Sequence, residues 1–358
     1  MVPPILPLLA AEWTLSPLEA GLVNTTYAIG RLGTSYPASW FRVRAGSRAA
    51  IFLGLAGLVA GTVGCGLAPT FPLFLAGRIL MGAGGSAAFL AIFADLLEVT
   101  PPDWRGRVAN AFEAMAILSL AAGGVLAASL AAAWGWRVVF VGAGPVLLLT
   151  LACWPVMGPE AGRQAARTGR AAWGPGALRG LAPVLSACFA LALTWAGLWT
   201  TLVPLLGAGR YQLSSTALGF ALGAGYVAEV AGLVAVGLVI DRLRREPVFL
   251  WGSVSVGAGG LVLATGSTPG LFVVGLVLIG GGFSVWMIPA TVLADRVGTP
   301  LPPGHLALYR IVMDAGMIVG PLALGGVAQA GGDRLAVGAA GLVLVGGALA
   351  LARRPGTR

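Results

Sequence analysis

Long apolar runs recur along the whole chain and constrain its fold more than any other feature. Six of them contain no charged residue, and five more carry only one or two charges. A helix rises about 1.5 Å per residue, so about 20 apolar residues span the roughly 30 Å hydrocarbon core of a bilayer. The sequence therefore predicts eleven membrane-spanning helices. The uncharged runs are 49–68, 138–157, 181–206, 247–266, 270–293 and 335–352, and the others are 18–41, 72–94, 108–133, 216–240 and 306–330.

The first residues of the chain form a twelfth, shorter apolar segment. Residues 2–11 provide about half the length that a spanning helix requires. They also lack the positively charged region and the cleavage site of a secretory signal. We expect this segment to be an incomplete first helix, truncated in the sequence or spanning only partly.

Charged residues are scarce, and their placement predicts the orientation. They make up 10% of the chain, and every basic residue is Arg; soluble domains carry about 25% charged residues. Sixteen arginines fall between runs on one side of the predicted membrane, and three, Arg137, Arg210 and Arg334, fall on the other. Cytoplasmic loops hold the excess of Arg, so both chain ends and the central linker are predicted to be cytoplasmic. The net charge of +9 follows this topology and does not indicate nucleic-acid binding.

The two halves of the chain match each other at a constant offset of 198 residues, which we call the repeat offset. It predicts two six-helix repeats, an arrangement in which the solute binds near the midplane between the halves. The predicted domains are an N-terminal bundle (1–157), a cytoplasmic linker (158–180), a C-terminal bundle (181–352) and a cytoplasmic tail (353–358). The matching residues of the two halves are Trp13 and Tyr211, Leu15 and Leu213, Ser16 and Ser214, Gly21 and Gly219, and Arg44 and Arg242.

One loop of the second half carries a family signature. Residues 237–245 match roughly G-x-x-x-D-R-x-x-R, the loop signature of the major facilitator superfamily, which the chain resembles over essentially its whole length. The resemblance implies an all-α integral membrane protein with the twelve-helix fold of this superfamily, in two pseudo-symmetric six-helix bundles. It also implies that the loop residues act as a gate. The matching residues are Gly237, Asp241, Arg242 and Arg245.

The corresponding loop of the first half is altered. It keeps Arg44 and Arg48, but Ser39 replaces the first glycine and Val43 replaces the aspartate. In the family this aspartate is thought to stabilise the outward-open state, so the resemblance implies a weaker gate in the first half.

Two further stretches resemble helix patterns of the family. Arg78 and Gly82 look like the R-x-x-x-G pattern of its fourth helix. Antiporter members carry G-P-x-x-G-G in the fifth helix, whereas residues 123–128 lack the proline and the second glycine pair. The antiporter subclass therefore loses support.

Charged side chains deep inside the predicted helices are the first candidates for function. Each costs roughly 2.5–3.5 kcal/mol near the bilayer centre on insertion scales, so each is a functional hypothesis by default. The repeat offset makes Arg31 and Glu229 equivalent, with opposite charges. The six residues are Arg31, Arg78, Glu113, Glu229, Arg310 and Asp314.

Three of these residues suggest a connection between the halves. The family fold packs the helix of Arg31 against the helix of Asp314, and we hypothesise a bridge between them that rearranges during alternating access. In the alternative, Arg310 pairs with Asp314 four residues away on the same helix face. Arg31 is also a candidate for binding a substrate carboxylate, which its planar guanidinium suits.

The buried carboxylates are candidates for carrying a proton. Glu229 is better placed than Glu113, which lies nearer the cytoplasm. The alternative is a structural carboxylate that is hydrogen-bonded to helix neighbours. By resemblance, Arg78 stabilises or relays charge in the first half; otherwise it is a packed arginine near the outer interface.

The resemblance also implies which helices line the solute cavity. Trp195 and Trp199, four residues apart, lie on one of these helices, and Trp286 lies on another beside Pro289, which is placed to kink it. Such an aromatic, mostly uncharged cavity suits an amphipathic solute. Alternatively, these rings pack helices or form the interfacial belt.

The sequence predicts a secondary transporter of a small solute in a bacterial-type inner membrane, monomeric, proton-coupled, and more in keeping with efflux than with import. The alternatives are a non-transporting receptor or sensor of the same fold, or an importer of an organic anion that uses Arg31. The spans contain no nucleophile, metal cluster or paired catalytic carboxylates, so an enzyme is not expected. No cofactor or metal is predicted either.

Overall fold

The computed structural model describes residues 2–101, 104–157, 175–240, 243–297 and 303–352, and these ranges are helical apart from short turns. We number the α-helices in chain order. Those of the first half are α1 (Leu6–Glu12), α2 (Pro17–Ala45), α3 (Ser47–Leu67), α4 (Phe71–Val99), α5 (Arg105–Trp134) and α6 (Trp136–Met157). Those of the second half are α7 (Pro175–Thr194), α8 (Val203–Gly209), α9 (Ser215–Val239), α10 (Arg245–Thr265), α11 (Pro269–Phe283), α12 (Ile288–Val297), α13 (Pro303–Gly331) and α14 (Asp333–Ala352).

Most predicted spans correspond to long apolar helices. Within the described part of the chain, nine helical stretches are long and apolar enough to cross a membrane, and Trp136–Ala152 is a shorter apolar helix. Helix α2 is not among the nine, because Glu19, Arg31 and several polar residues interrupt its apolar stretch. Each of the eleven predicted spans is nonetheless helical over most of its described residues, and two of them change geometry along their length.

Those two spans depart from a regular α-helix. In the second half, the span 270–293 is divided into α11 and α12 by a turn at 284–287. Pro289 explains the division, since it lacks the N–H that the carbonyl of Val285 needs and its ring crowds that carbonyl. In the span 181–206, α7 continues as a π-helix, Trp195–Leu202, before α8. Pro204 likewise deprives the carbonyl of Thr200 of an α-helical donor.

The repeat offset extends well beyond the stretch where the sequence revealed it. Four helices of the first half begin one repeat offset before their counterparts in the second half. The undivided α4 corresponds in extent to α11 and α12 together, because Phe71 and Val99 map onto Pro269 and Val297. The paired helix starts are Pro17 and Ser215, Ser47 and Arg245, Phe71 and Pro269, and Arg105 and Pro303.

The turns before α2 and α9 repeat the same backbone detail. Thr14 and Gln212, which are counterparts in the repeat, have left-handed φ angles of 50° and 52°. Two residues later, the hydroxyls of Ser16 and Ser214 each accept a hydrogen bond from the backbone amide three residues on, at 3.3 and 3.2 Å. These serines cap the helix starts, where four amides would otherwise have no partner. The internal repeat is therefore present in the backbone as well as in the sequence.

The chain divides into two compact units. The C-terminal unit comprises Met1–Gly21, Ile117–Ala128 and Thr168–Arg358, and the N-terminal unit comprises Leu22–Ala116 and Ser129–Arg167. The bundle boundaries predicted from the sequence, 1–157 and 181–352, stay a prediction.

Glycines let the helices approach closely inside each unit. In the N-terminal unit, a Cβ on Gly54 of α3 would lie 2.5 Å from the backbone nitrogen of Ala88 on α4. In the C-terminal unit, a Cβ on Gly259 of α10 would lie 2.6 Å from the carbonyl oxygen of Gly275 on α11. Small residues are the usual means of bringing membrane helices this close.

Candidate solute site and gating residues

Two interruptions of regular helix meet in the C-terminal unit. The π-helical segment that follows α7 carries Trp195 and Trp199, and the turn between α11 and α12 begins directly after Phe283 and contains Trp286. The ring centroids of Trp195 and Trp286 are 5.7 Å apart, and those of Trp199 and Phe283 are 6.3 Å apart. Aromatic contacts therefore join the two interruptions. Interrupted membrane helices are where transporters commonly form their solute sites.

Side-chain hydroxyls support the π-helical segment. The hydroxyls of Thr200 and Thr201 both donate to the carbonyl of Ala196, at 2.7 and 2.9 Å. The hydroxyl of Thr194 donates to the carbonyl of Ala340 on α14 at 3.3 Å. Short π-helical segments frequently occur at functional sites.

Trp199 forms the buried floor of this aromatic group. Its side chain is completely buried and contacts Tyr226 edge to face, with centroids 5.3 Å apart and ring planes at 82°. Gly225 makes room for it, because a Cβ at that position would clash with the Trp199 ring. Trp195 and Trp286 are only partly buried, so these two rings are the accessible ones. The structure thus brings the three predicted tryptophans together but gives them different environments.

Glu229 lies close to this group. It is on α9, one helical turn after Tyr226, and only 3% of its surface is exposed. Residues three apart are neighbours on a helix surface, so Glu229 lies next to Tyr226, whose ring contacts Trp199. A cavity of about 10 Å³ lies beside Tyr226, enclosed by residues 3–4, by α5 and by α9.

Arg78 occupies the interior of the N-terminal unit. It is 4% exposed, and its Nε donates to the backbone carbonyl of Val23 on α2 at 3.0 Å. The guanidinium carbon lies 4.7 Å from the centroid of the Tyr27 ring, within the range of a cation–π contact. Arg78 is therefore held between α2 and α4 by a carbonyl and an aromatic face.

The remaining charged candidates lie on three helices. Arg310 and Asp314 form an ion pair one turn apart on α13, with Nε 3.7 Å from Oδ2, and Asp314 is completely buried. This is the geometry of the intrahelical alternative described above. Arg31 on α2 and Glu113 on α5 are partly buried in the N-terminal unit. The bridge between Arg31 and Asp314 stays a prediction.

Part of the predicted gate lies outside the described residues. This applies to Asp241 and Arg242. Gly237 is exposed at the end of α9, and Arg245 at the start of α10 pairs with Asp295 of α12. In the first half, Arg48 is exposed, and Arg44 is exposed with its guanidinium 4.3 Å from the Trp40 ring centroid.

The altered loop of the first half contains an ion pair that the sequence did not reveal. Arg42 at the end of α2 donates to Asp95 of α4, with Nη2 2.6 Å from Oδ1. Ser47 at the start of α3 also donates to Asp95 and accepts from Nε of Arg42 at 2.7 Å. Ser47 is the repeat counterpart of Arg245, so the two halves anchor their carboxylates by different residues.

Sequence reasoning also missed Tyr27 and Tyr226. Both tyrosines lie on helices that were considered only for a charged residue, and neither tyrosine is part of a motif. The spacing of three residues between Tyr226 and Glu229 was the available signal, because residues three apart lie on neighbouring positions of a helix surface.

Comparison with known proteins agrees with this geometry. A model of the Major Facilitator Superfamily matches residues 1–300 and, in a second overlapping match, residues 184–358. The chain has a TM-score of 0.76 to the xylose transporter XylE from E. coli in a partially occluded inward-open conformation. That alignment covers 97% of this chain and 91% of XylE at 15% identity, and it confirms the predicted fold class.

Curated relatives are membrane transporters. An uncharacterized MFS-type transporter of Bacillus subtilis, YhcA, is 28% identical over 142 residues, which are 39% of this chain and 26% of YhcA. The matching region therefore spans about a quarter of that relative. A chloramphenicol efflux pump of Mycobacterium tuberculosis is 28% identical over 336 residues, 89% of this chain and 79% of the pump.

Proposed function

Because the chain belongs to the major facilitator superfamily, we propose that it is a proton-coupled secondary transporter that exports a small amphipathic solute. In this proposal the protein is a monomer in the cytoplasmic membrane, with both ends in the cytoplasm. The observation that carries the proposal is the aromatic junction of the two interrupted helices, where Trp195 and Trp286 are partly exposed and Trp199 lies behind them.

The chemistry of this junction favours an uncharged or weakly polar solute with a flat apolar part. Indole rings bind such groups by area burial and by offset or edge-to-face contacts. None of the residues of the π-helical segment or of the turn 284–287 is charged. The similarity to a chloramphenicol efflux pump over most of the chain supports the same solute class and the outward direction.

Glu229 is the proposed proton carrier. It is almost completely buried and lies beside the aromatic junction rather than at a helix end. A buried carboxylate readily takes up a proton because burial disfavours its charged form. Protonation and solute binding would then occur within the same unit of the protein.

The test is solute flux in proteoliposomes, with labelled chloramphenicol as the first probe and xylose as a comparison solute. We expect a pH gradient to drive chloramphenicol movement and a protonophore to stop it. Trp195→Ala and Trp286→Ala should each reduce flux at least about tenfold, because a lost aromatic contact of about 1.4 kcal/mol is a factor of ten. Trp251→Ala is the control, since Trp251 on α10 is 73% exposed.

Three outcomes would contradict the proposal. Binding of a solute without any flux would favour a receptor of this fold. Flux that does not depend on the pH gradient would contradict proton coupling. Equal losses in Trp195→Ala and Trp251→Ala would show that the aromatic junction is not the solute site.

A further inference from the structure

We propose that Trp40 and Arg44 form a binding site for the headgroup of an anionic phospholipid, and that Arg48 adds a second positive charge to it. The three residues belong to the N-terminal unit and lie where α2 ends and α3 begins. We call residues 40–48 the basic turn. The candidate solute site lies in the C-terminal unit, so this inference goes beyond the proposed function and does not depend on it.

The basic turn lies at the edge of the hydrocarbon core. Helix α3 begins at Ser47 and is long and apolar enough to cross a membrane. Its 21 residues extend about 31 Å, which is about the thickness of the core. Trp40 precedes the last residue of α2, Ala45, by about 8 Å along the helix. Tryptophan rings are enriched at this depth, where the phospholipid headgroups begin.

A single residue joins the two helices. Gly46 has a φ of 87°, a left-handed angle that glycine adopts without a steric cost. Its amide donates to the carbonyl of Arg42 at 3.0 Å, as the last hydrogen bond of the α2 ladder. Arg44 and Arg48 flank this turn and are four residues apart, so their Cα atoms are separated by at most about 14 Å. One headgroup can therefore reach both side chains.

An ion-pair network fixes the basic turn in place. Arg42 at the end of α2 binds Asp95 of α4, with Nη2 2.6 Å from Oδ1. Ser47 donates to the same carboxylate and accepts from Nε of Arg42 at 2.7 Å. The end of α2, the start of α3 and α4 are thus connected through side chains. A binding surface that is already ordered loses less conformational entropy when it takes up a ligand.

The basic turn keeps positive charge after this pairing. Its nine residues include three arginines and no acidic residue. Asp95 neutralises Arg42, while Arg44 and Arg48 are both exposed. Clusters of arginine next to a membrane helix attract anionic lipids, and the attraction falls off within a Debye length. The charge of the basic turn therefore favours an anionic headgroup over a zwitterionic one.

Trp40 orients the guanidinium of Arg44. The two residues are four apart on α2, and the guanidinium carbon lies 4.3 Å from the centroid of the Trp40 ring. Both side chains are exposed, Trp40 by 51%. An arginine that stacks on an aromatic face keeps its N–H donors at the edge of the guanidinium, where they bind phosphate oxygens in pairs. Trp40 and Arg44 together therefore offer a phosphate group ordered donors.

The second half shows that the scaffold does not require a tryptophan here. The repeat counterpart of Trp40 is Leu238, which is 76% exposed. A ring that is half exposed in one copy and absent from the other contributes little to packing within the unit. The indole is instead accounted for by the depth at which it lies and by the arginine beside it.

Native mass spectrometry of the purified protein tests the site, with phosphatidylglycerol as the probe and phosphatidylcholine as the comparison lipid. We expect the first phosphatidylglycerol to bind at least about fivefold more tightly. Arg44→Gln should weaken it about fivefold, which corresponds to about 1 kcal/mol for one arginine near the surface. Trp40→Leu should weaken it about threefold, as the loss of an exposed cation–π contact does.

Two matched variants provide the controls. Arg334 is an exposed arginine at the start of α14, and Trp134 is a 67% exposed tryptophan at the end of α5. Arg334→Gln and Trp134→Leu should each keep the affinity for phosphatidylglycerol within about twofold. Losses equal to those of Arg44→Gln would show that the lipid responds to any arginine or interfacial ring, and the inference would fail.

Two further comparisons define the ligand chemistry. Glycerol 3-phosphate has the phosphate without the acyl chains and should bind at least about tenfold more weakly; equal binding would mean a site for soluble anions and would overturn the inference. Arg44→Lys keeps the charge but loses the planar donors, so it should recover only part of the affinity. Full recovery would mean attraction by charge alone, which also overturns the site.

Thermal unfolding separates binding from stability. Cys65 and Cys188 are buried and free, so a thiol-reactive dye reports unfolding. A ligand that binds the folded state raises the melting temperature, and we expect a larger rise with phosphatidylglycerol than with phosphatidylcholine. Arg44→Gln should lose this difference and keep the melting temperature measured in phosphatidylcholine. An equal fall in both lipids would assign Arg44 a structural role and overturn the inference.

Discussion

The crossing of α2 with α4 and the crossing of α9 with α11 have the same backbone and different side chains. A Cβ on Gly82 would clash with the carbonyl oxygen of Tyr27, and a Cβ on Gly280 would clash with that of Gly225. Gly82 and Gly280 are counterparts at the repeat offset, and so are Tyr27 and Gly225. The duplication therefore kept the close approach of the helices in both halves.

What fills the space at each crossing differs. In the first half, the Tyr27 ring lies against the guanidinium of Arg78. In the second half, Gly225 has no side chain, and the indole of Trp199 occupies that space. The counterpart of Arg78 is Leu276. One crossing thus holds a buried cation, and the other holds the aromatic floor of the candidate solute site. The repeat supplies the scaffold, and single substitutions at its centre supply the chemistry.

The largest loss of stability is expected at the glycines that both crossings share. Gly82→Val and Gly280→Val should each prevent correct folding, with a loss of more than about 3 kcal/mol, because the clashing partner is backbone and has little freedom to move. The measurement is the monodisperse fraction in detergent by size-exclusion chromatography. Gly64→Val and Gly281→Val are matched controls, since a Cβ at either position meets nothing within 4 Å. Normal folding of Gly280→Val would mean that this crossing is looser than described.

A smaller loss of stability is expected at Tyr27, where the two crossings differ. Tyr27→Leu removes the aromatic face from a buried guanidinium, and a desolvated cation–π contact contributes about 2 kcal/mol. Tyr27→Phe keeps that face and should cost less than about 1 kcal/mol, the size of one hydroxyl contact. Thermal unfolding of the purified protein compares the two variants. Equal losses would show that the Tyr27 hydroxyl, and not its ring, supports Arg78.

Two ion pairs at helix ends, one in each half, provide a third contrast. Asp95, 18% exposed, binds Arg42 and Ser47, whereas Asp295, 58% exposed, binds Arg245. Asp95→Asn should destabilise the protein by about 1–2 kcal/mol, because charged hydrogen bonds that are partly buried are worth that much. Asp295→Asn should cost less than about 1 kcal/mol, as exposed ion pairs do. A larger loss of melting temperature in Asp295→Asn would reverse this ranking.

The sequence predicted the scaffold well for reasons that these contrasts make clear. Apolar length depends on the bilayer and acts on every helix, so the helical stretches could be located without tertiary information. The repeat was recognisable at Ser16 and Ser214 because helix caps and turns are local. The match to XylE confirmed the resulting fold class.

The candidate site was less predictable because its contacts depend on tertiary packing. Trp199 was named from its sequence, but nothing in the sequence indicates that Gly225 makes room for it or that Tyr226 supports it. Arg42 and Asp95 are distant in the sequence, and their pairing depends on how α2 and α4 end. The roles of Arg31, Glu113 and Glu229 stay predictions.

The smallest change in stability is expected in the turns before α2 and α9, which the two halves share. Thr14 and Gln212 both adopt left-handed φ angles, which cost a non-glycine residue about 1–2 kcal/mol. Glycine removes that cost but loses about 0.5–1 kcal/mol through its greater freedom in the unfolded chain. Thr14→Gly should therefore raise the stability by up to about 1 kcal/mol, since a β-branched residue is the more strained of the two.

Gln212→Gly should gain less than Thr14→Gly, because the Gln212 amide donates to the carbonyl of Gly209 and glycine loses that hydrogen bond. Thermal unfolding of the two single variants and of the double variant measures the difference. The Thr14 hydroxyl donates at 2.8 Å to the carbonyl of the adjacent Trp13, a contact within the same turn that does not connect it to a helix. A greater gain in Gln212→Gly would mean that the turn before α9 is the more strained copy, and that the repeat diverged there as well as at the helix crossings.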